Sequence, residues 1–245
     1  LHGSSAASDV YKRQVLAGLL SVAYTDVANG ILMIICFIIA LPILFFQAGG
    51  FEGMAMSFEN KGMPNNMSLF GVLSFRDVVN FTLPSFLLIL GDANMYQRFF
   101  ASESVKSAQK ATFLLFFAVV ILESLIIANA WISSSMITDI AKESHVLIYA
   151  AYNFLPPIVG AIMLATIIGI IISTADSFLL VPTTILINDI YLKYSNKKYS
   201  DKMIVTLSRI LVLALGFFSY WVSRMFAADT TIFEKALYAF TIYGT

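Results

Sequence analysis

Long apolar runs, each interrupted by very few charges, dominate the chain and set its elements. A bilayer core about 30 Å thick is crossed by roughly 20 apolar helical residues. The first run extends from Val15 to Phe46 and contains one charge, Asp26. The second, Val78 to Gly91, is short and gives way to the polar stretch Gly91-Asp92-Ala93-Asn94. The third, Ala111 to Met136, carries Glu123. A fourth is free of charge from Val146 to Ala175 and resumes after Asp176 as far as Asn188. The fifth covers Met203 to Ser223 with Arg209 near its start, and a sixth begins near Phe233 and is cut off at Thr245. Continuous runs, rather than alternation at period two, exclude a barrel. The pattern predicts an all-α integral membrane protein with about six transmembrane helices, the last truncated. Pro42, Pro84 and Pro182 predict kinks, and Pro156-Pro157 predicts a helix start.

Composition leads to the same class. Charged residues make up 12% of the 245, and hydrophobic ones 59%, whereas a soluble domain carries about 25% charged residues. Fifteen Lys and Arg balance fifteen Asp and Glu, so no basic surface exists to hold nucleic acid. The single cysteine, Cys36, lies in an apolar run and can form neither an internal disulfide nor a thiolate metal cage. No set of His, Ser and Asp, Gly-rich phosphate loop or metal signature suggests an enzyme.

Positive charge sets the orientation. Arg98, Lys106 and Lys110 follow the second run, and Lys193, Lys197, Lys198, Lys202 and Arg209 follow the fourth. The alternate connections hold Lys61, Arg76, Lys142, Arg224 and Lys235, so eight charges face five and the richer loops are read as cytoplasmic. Residues 1–14, LHGSSAASDVYKRQ, lack the apolar core of a signal peptide and look like translated adapter sequence. They are set apart as a non-native leader, leaving 15–245 as the transmembrane core.

Asp26, Glu123 and Asp176 are ionisable groups at bilayer depth, where such groups face protein or water and mark a pathway. In Ser173-Thr174-Ala175-Asp176-Ser177, positions 173, 176 and 177 share one helix face. Hydroxyl, carboxylate and backbone carbonyl oxygens are the ligands of a hard cation. Counting about 1.5 Å per residue from the inner ends puts Asp26 and Asp176 at comparable depth. Two carboxylates that meet there repel unless a cation or a proton joins them. The alternative is that each bonds a neighbouring helix end or backbone amide. The short second run, broken at Gly91, is the candidate for a discontinuous helix of the kind that exposes backbone groups in transporters.

Three blocks carry a resemblance. Val22-Ala23-Tyr24-Thr25-Asp26-Val27, then Gly91-Asp92-Ala93-Asn94-Met95-Tyr96-Gln97-Arg98 with the Ser104–Lys110 loop, then Ser173-Thr174-Ala175-Asp176-Ser177 running to Asn188-Asp189-Ile190-Tyr191, resemble the sodium:solute symporter family in order and spacing. The resemblance implies a partial five-plus-five inverted-repeat transporter fold, holding core helices five to nine and the start of ten. It implies sodium-coupled uptake of a small organic solute by alternating access, in a bacterial-type plasma membrane, with sodium as coupling ion and no other cofactor. The family's primary sodium site falls on Ser173, Thr174 and the carbonyl of Ile170. Its second site, present in some members, falls on Asp26, Ser173, Asp176 and Ser177, with Asp176 replacing a hydroxyl.

Candidate substrate contacts are Ser85, Leu88 and Glu123. The sugar-transporting branch has an aromatic pair where this chain has Leu88-Ile89, and a lysine where it has Val119, so a sugar is disfavoured. Glu123 lies one turn from Val119 on the same face. An organic acid, an amino acid or a vitamin stays open. So do a proton-coupled carrier on the same fold, with Asp26 and Asp176 as proton sites, and a membrane sensor or structural subunit that keeps the fold.

Overall fold

The computed structural model describes residues 3–68, 71, 73–138, 145–195 and 199–225. The side chains of residues 1–22 and of Phe81, Ser85, Leu88, Ile89, Ala93, Asn94, Gln97 and Asp201 are not among those described. Eight α-helices follow one another among the described residues, and no strand. They are α1 (Gly3–Gln47), α2 (Gly50–Asn60), α3 (Phe75–Gly91), α4 (Ala93–Phe100), α5 (Val105–Met136), α6 (Val146–Asn153), α7 (Pro157–Ile185) and α8 (Asp201–Met225). Four stretches are long and apolar enough to cross a membrane: Ala23–Gln47, Val105–Met136, Pro157–Leu192 and Lys202–Met225.

The second apolar run ends as α3 at Gly91, and Asp92 separates it from the eight-residue α4. Its 17 residues fall just short of a full crossing. The fourth run divides in two. α6 stops at Asn153, and α7 starts at Pro157, where a missing N–H costs nothing and φ is already helical. The sixth run lies outside the described residues. α2 has no counterpart in the sequence reading, because its buried Met54 and Phe58 lie in a short polar helix between the first two runs.

Two compact units divide the chain. Among the described residues, one lies within 29–92 and 102–169. Its core is a stripe on α1 made of Met33, Cys36, Phe37, Ala40 and Leu44, joined by Met54, Phe58, Ile132, Ala150 and Met163 from other helices. The spacing of three and four along α1 keeps those side chains on one helix face. Asn129 of α5, fully buried, donates to the Phe37 carbonyl at 3.1 Å and to the Leu125 carbonyl at 2.8 Å.

The C-terminal end of α5 is closed by α2 and the residue that follows it. Lys61 Nζ donates to the Ser134 carbonyl at 2.6 Å, and Ser57 Oγ to the Ser135 carbonyl at 2.5 Å. A cation and a hydroxyl thus satisfy carbonyls that a helix end leaves without intrahelical partners. By contrast, Phe113, Leu114, Leu115, Phe116 and Phe117, consecutive on α5, are all exposed. Five successive residues point all round a helix, so no other described part of the chain covers this apolar stretch.

The other unit, among the described residues, lies within 3–28, 93–101 and 170–225. Beyond Pro182, α7 passes into a π-helical segment, Leu186–Leu192. Near its end, the rings of Tyr191 and Tyr199 lie tilted at 36° with centroids 5.2 Å apart, and the Tyr199 hydroxyl meets Ser195 Oγ at 2.7 Å.

Candidate ion-binding site

Within the unit that contains α4, three helices bring their polar groups to one point. α1 supplies Asp26, α7 supplies Ser173 and Ser177, and α4 supplies Arg98. Ser173 and Ser177 are four residues apart, so one α-helical face presents both hydroxyls. Ser173 Oγ donates to Asp26 Oδ1. Arg98 Nη2 lies 2.9 Å from Asp26 Oδ2 and 3.4 Å from Ser177 Oγ. Each carboxylate oxygen of Asp26 therefore accepts a hydrogen bond, one of them charge-assisted. The Arg98 side chain is 48% exposed and that of Asp26 22%. In water an ion pair this open stabilises by about 0–1 kcal/mol.

The sequence-derived candidates separate on this geometry. Asp26, Ser173 and Ser177 come together, with a guanidinium among them. Asp176 is exposed and takes no part in that network among the described residues. Thr174 is exposed and Ile170 half-buried, both on α7 beside Ser173. Glu123 is exposed on α5, in the other unit. Ser85 and Leu88 belong to α3, and their side chains lie outside the described residues.

Arg98 is the residue that sequence reasoning assigned differently. Counted there as a loop charge, it sits on α4 and reaches a carboxylate 72 positions earlier. The available signal was charge balance: a carboxylate inside an apolar run needs a positive partner, and the broken second run ends beside an arginine.

In the other unit the same two long helices also meet. Asn29 Nδ2, on α1, donates to the Gly169 carbonyl of α7 at 3.3 Å. A Cβ on Gly169 would stand 3.1 Å from Asn29 Oδ1, so glycine admits the amide at this distance.

The sequence model of the sodium:solute symporter family matches residues 10–245. The chain belongs to the sodium:solute symporter family. Its relatives include the high-affinity proline transporter PutP of Bacillus subtilis, 25% identical over 94% of this chain and 49% of the relative. The osmoregulated proline transporter OpuE of the same organism is 22% identical over 94% of this chain and 47% of its own length. The sodium/proline symporter of Escherichia coli is 24% identical over 88% of this chain and 44% of the relative. The chain thus spans about half the length of these relatives. No solved structure matches it at comparable stringency. The family and these relatives are transporters rather than enzymes. With four membrane-capable helices among its described residues, the chain is a multi-pass membrane protein.

Proposed function

We propose that this chain forms part of a sodium-coupled symporter that takes up a small zwitterionic amino acid, proline being the first to test. The observation that carries the reading is the family match over residues 10–245, together with two hydroxyls, Ser173 and Thr174, on the long apolar helix α7. Hydroxyl and backbone carbonyl oxygens at bilayer depth suit a hard monovalent cation. In this reading the primary sodium ligands are the hydroxyls of Ser173 and Thr174 and the carbonyl of Ile170, which lie at i, i+3 and i+4 of α7. The names of the relatives support proline as probe.

The test uses the protein of the complete reading frame in proteoliposomes. Labelled proline uptake is measured with sodium outside, then with choline at the same pH. Sodium-dependent uptake is expected, and Ser173→Ala and Thr174→Ala should each weaken the apparent sodium affinity by about tenfold, or about 1.4 kcal/mol. Uptake that is indifferent to the exchange for choline overturns sodium coupling. Sodium-dependent uptake of another solute, with none of proline, overturns only the substrate.

A further inference from the structure

We propose that Arg98 is the resident cation of the Asp26 site: while seated, its guanidinium takes the place a second sodium would fill, and this chain binds sodium there only when Arg98 is absent or withdrawn. The transport consequence rests on the sodium-coupled reading above; the occupancy itself does not.

The argument is one of geometry and charge. A second sodium would need Asp26 together with the hydroxyls of Ser173 and Ser177. The Arg98 Nη2 atom already stands 2.9 Å from Asp26 Oδ2 and 3.4 Å from Ser177 Oγ. Ser173 turns its hydroxyl proton toward Asp26 Oδ1, and a hydroxyl pointed in this way completes the coordination of the carboxylate. With one carboxylate and one guanidinium, the cluster is neutral. A sodium ion added to it would give the cluster a net positive charge and would stand against the guanidinium at the same carboxylate oxygen, which is unfavourable. Asp176, the other carboxylate nearby in sequence, is exposed and stands outside the network among the described residues, so it does not restore a negative site.

The placement of Arg98 suits an occupant that can leave. It is carried on α4, an eight-residue helix bounded by the break at Asp92 and by the bend through Ala101–Ser104. Its side chain is half exposed, and its pairing with Asp26 is through a single guanidinium nitrogen rather than a two-pronged fork.

The experiment counts sodium. The complete reading frame is purified, and equilibrium binding of radioactive sodium is measured at saturation for wild type, Arg98→Gln, Arg98→Lys, Asp26→Asn and the Asp26→Asn/Arg98→Gln double variant. Sodium-dependent uptake by the wild type is measured alongside. Arg98→Gln is expected to bind one more sodium per protein than wild type. Arg98→Lys keeps the wild-type number, and the double variant returns to it. Asp26→Asn alone leaves the number unchanged, because its site holds no sodium to lose. An equal count in wild type and Arg98→Gln overturns the proposal, and so does the loss of one sodium in Asp26→Asn. The second result decides the matter even if Arg98→Gln fails to fold. If uptake by the wild type ignores sodium while Arg98→Gln gains a site, the sodium-coupled reading fails and the tethered cation stands.

Discussion

Replacing Gly160 with alanine isolates one packing contact. Gly160 lies in the first turn of α7, and its position against α6 leaves no room for a side chain. A Cβ built there stands 2.1 Å from the Ala151 carbonyl oxygen and 3.1 Å from its carbon. Contacts below about 3 Å are repulsive for a carbon against an oxygen, so about 0.9 Å of movement is required. The obstacle is backbone and cannot turn aside as a side chain would. Nor can α6 recoil freely, since Ala150 and Ala151 are both buried. Overpacking of this kind costs about 1–3 kcal/mol. Alanine recovers about 0.5–1 kcal/mol of helix preference over glycine, leaving a net loss centred near about 1 kcal/mol. Gly30 of α1 is the control, because nothing lies within 4 Å of its built Cβ and the same substitution should gain the helix preference. Both variants are unfolded from mild detergent by titration with a denaturing one, followed by tryptophan fluorescence. Gly160→Ala should move the midpoint toward instability and Gly30→Ala the other way. Equal midpoints for the two variants would falsify the close approach of α7 to α6.

Buried polar groups on α5 yield opposite expectations one turn apart. Asn129→Ala removes hydrogen bonds to the Phe37 and Leu125 carbonyls and should destabilise by about 1–3 kcal/mol, whereas Ser133→Ala removes a buried hydroxyl with no partner among the described residues and should stabilise by about 1 kcal/mol. The same detergent titration checks both, and a loss on Ser133→Ala would mean that its hydroxyl is satisfied. At the start of α3, the Ser74 hydroxyl and backbone N–H donate to Asp77 Oδ2 and hold its carboxyl below the usual carboxylate range. Because the folded value is depressed, this stabilisation is present above the unfolded pKa of about 3.9 and disappears as pH falls through the lower folded value. Amide exchange in the first turn of α3, corrected for intrinsic rates, should therefore be flat from neutral pH down to about 4 and accelerate below it; Asp77→Asn should remove the step, and a step that survives the substitution would assign it to another group.

How much of this could be read in the sequence varied with the reach of the interaction. Helix-forming runs were legible because apolar continuity is local: the break beside Gly91 and the start at Pro157 fall where Gly-Asp and Pro-Pro punctuate the chain. Ser173 and Ser177 could be put on one face by counting, since the segment holding them is regular α-helix. The meeting of Asp26 with Ser173 spans 147 positions; depth alone paired Asp26 with Asp176, and only the resemblance put it with Ser173 and Ser177. Depth fixes height along a helix but leaves azimuth free, and even residues three apart, such as Ser173 and Asp176, differ by about 60°. Arg98 escaped for another reason. Loop charges were counted to orient the chain, and a long flexible side chain at a helix break can reach a carboxylate far away in sequence. The helix α2 was not expected because its buried Met54 and Phe58 are too few to stand out among polar neighbours.

The change of hydrogen bonding at Leu186–Leu192 has a consequence for how substitutions and length changes along this helix are interpreted. A turn bonded i to i+5 takes in one residue more than an α-turn, and one residue corresponds to about 100° of rotation. A single helical wheel drawn from Ser177 onward therefore misplaces Lys193 and Tyr194 by about that angle. Removing one residue inside the π-helical segment would restore ordinary α-helical phase beyond it. The same removal between Ile170 and Ser173 would swing the hydroxyls of Ser173 and Ser177 out of register with the carbonyl of Ile170. Insertions and deletions among relatives are thus expected to gather in the first stretch and to be absent from the second.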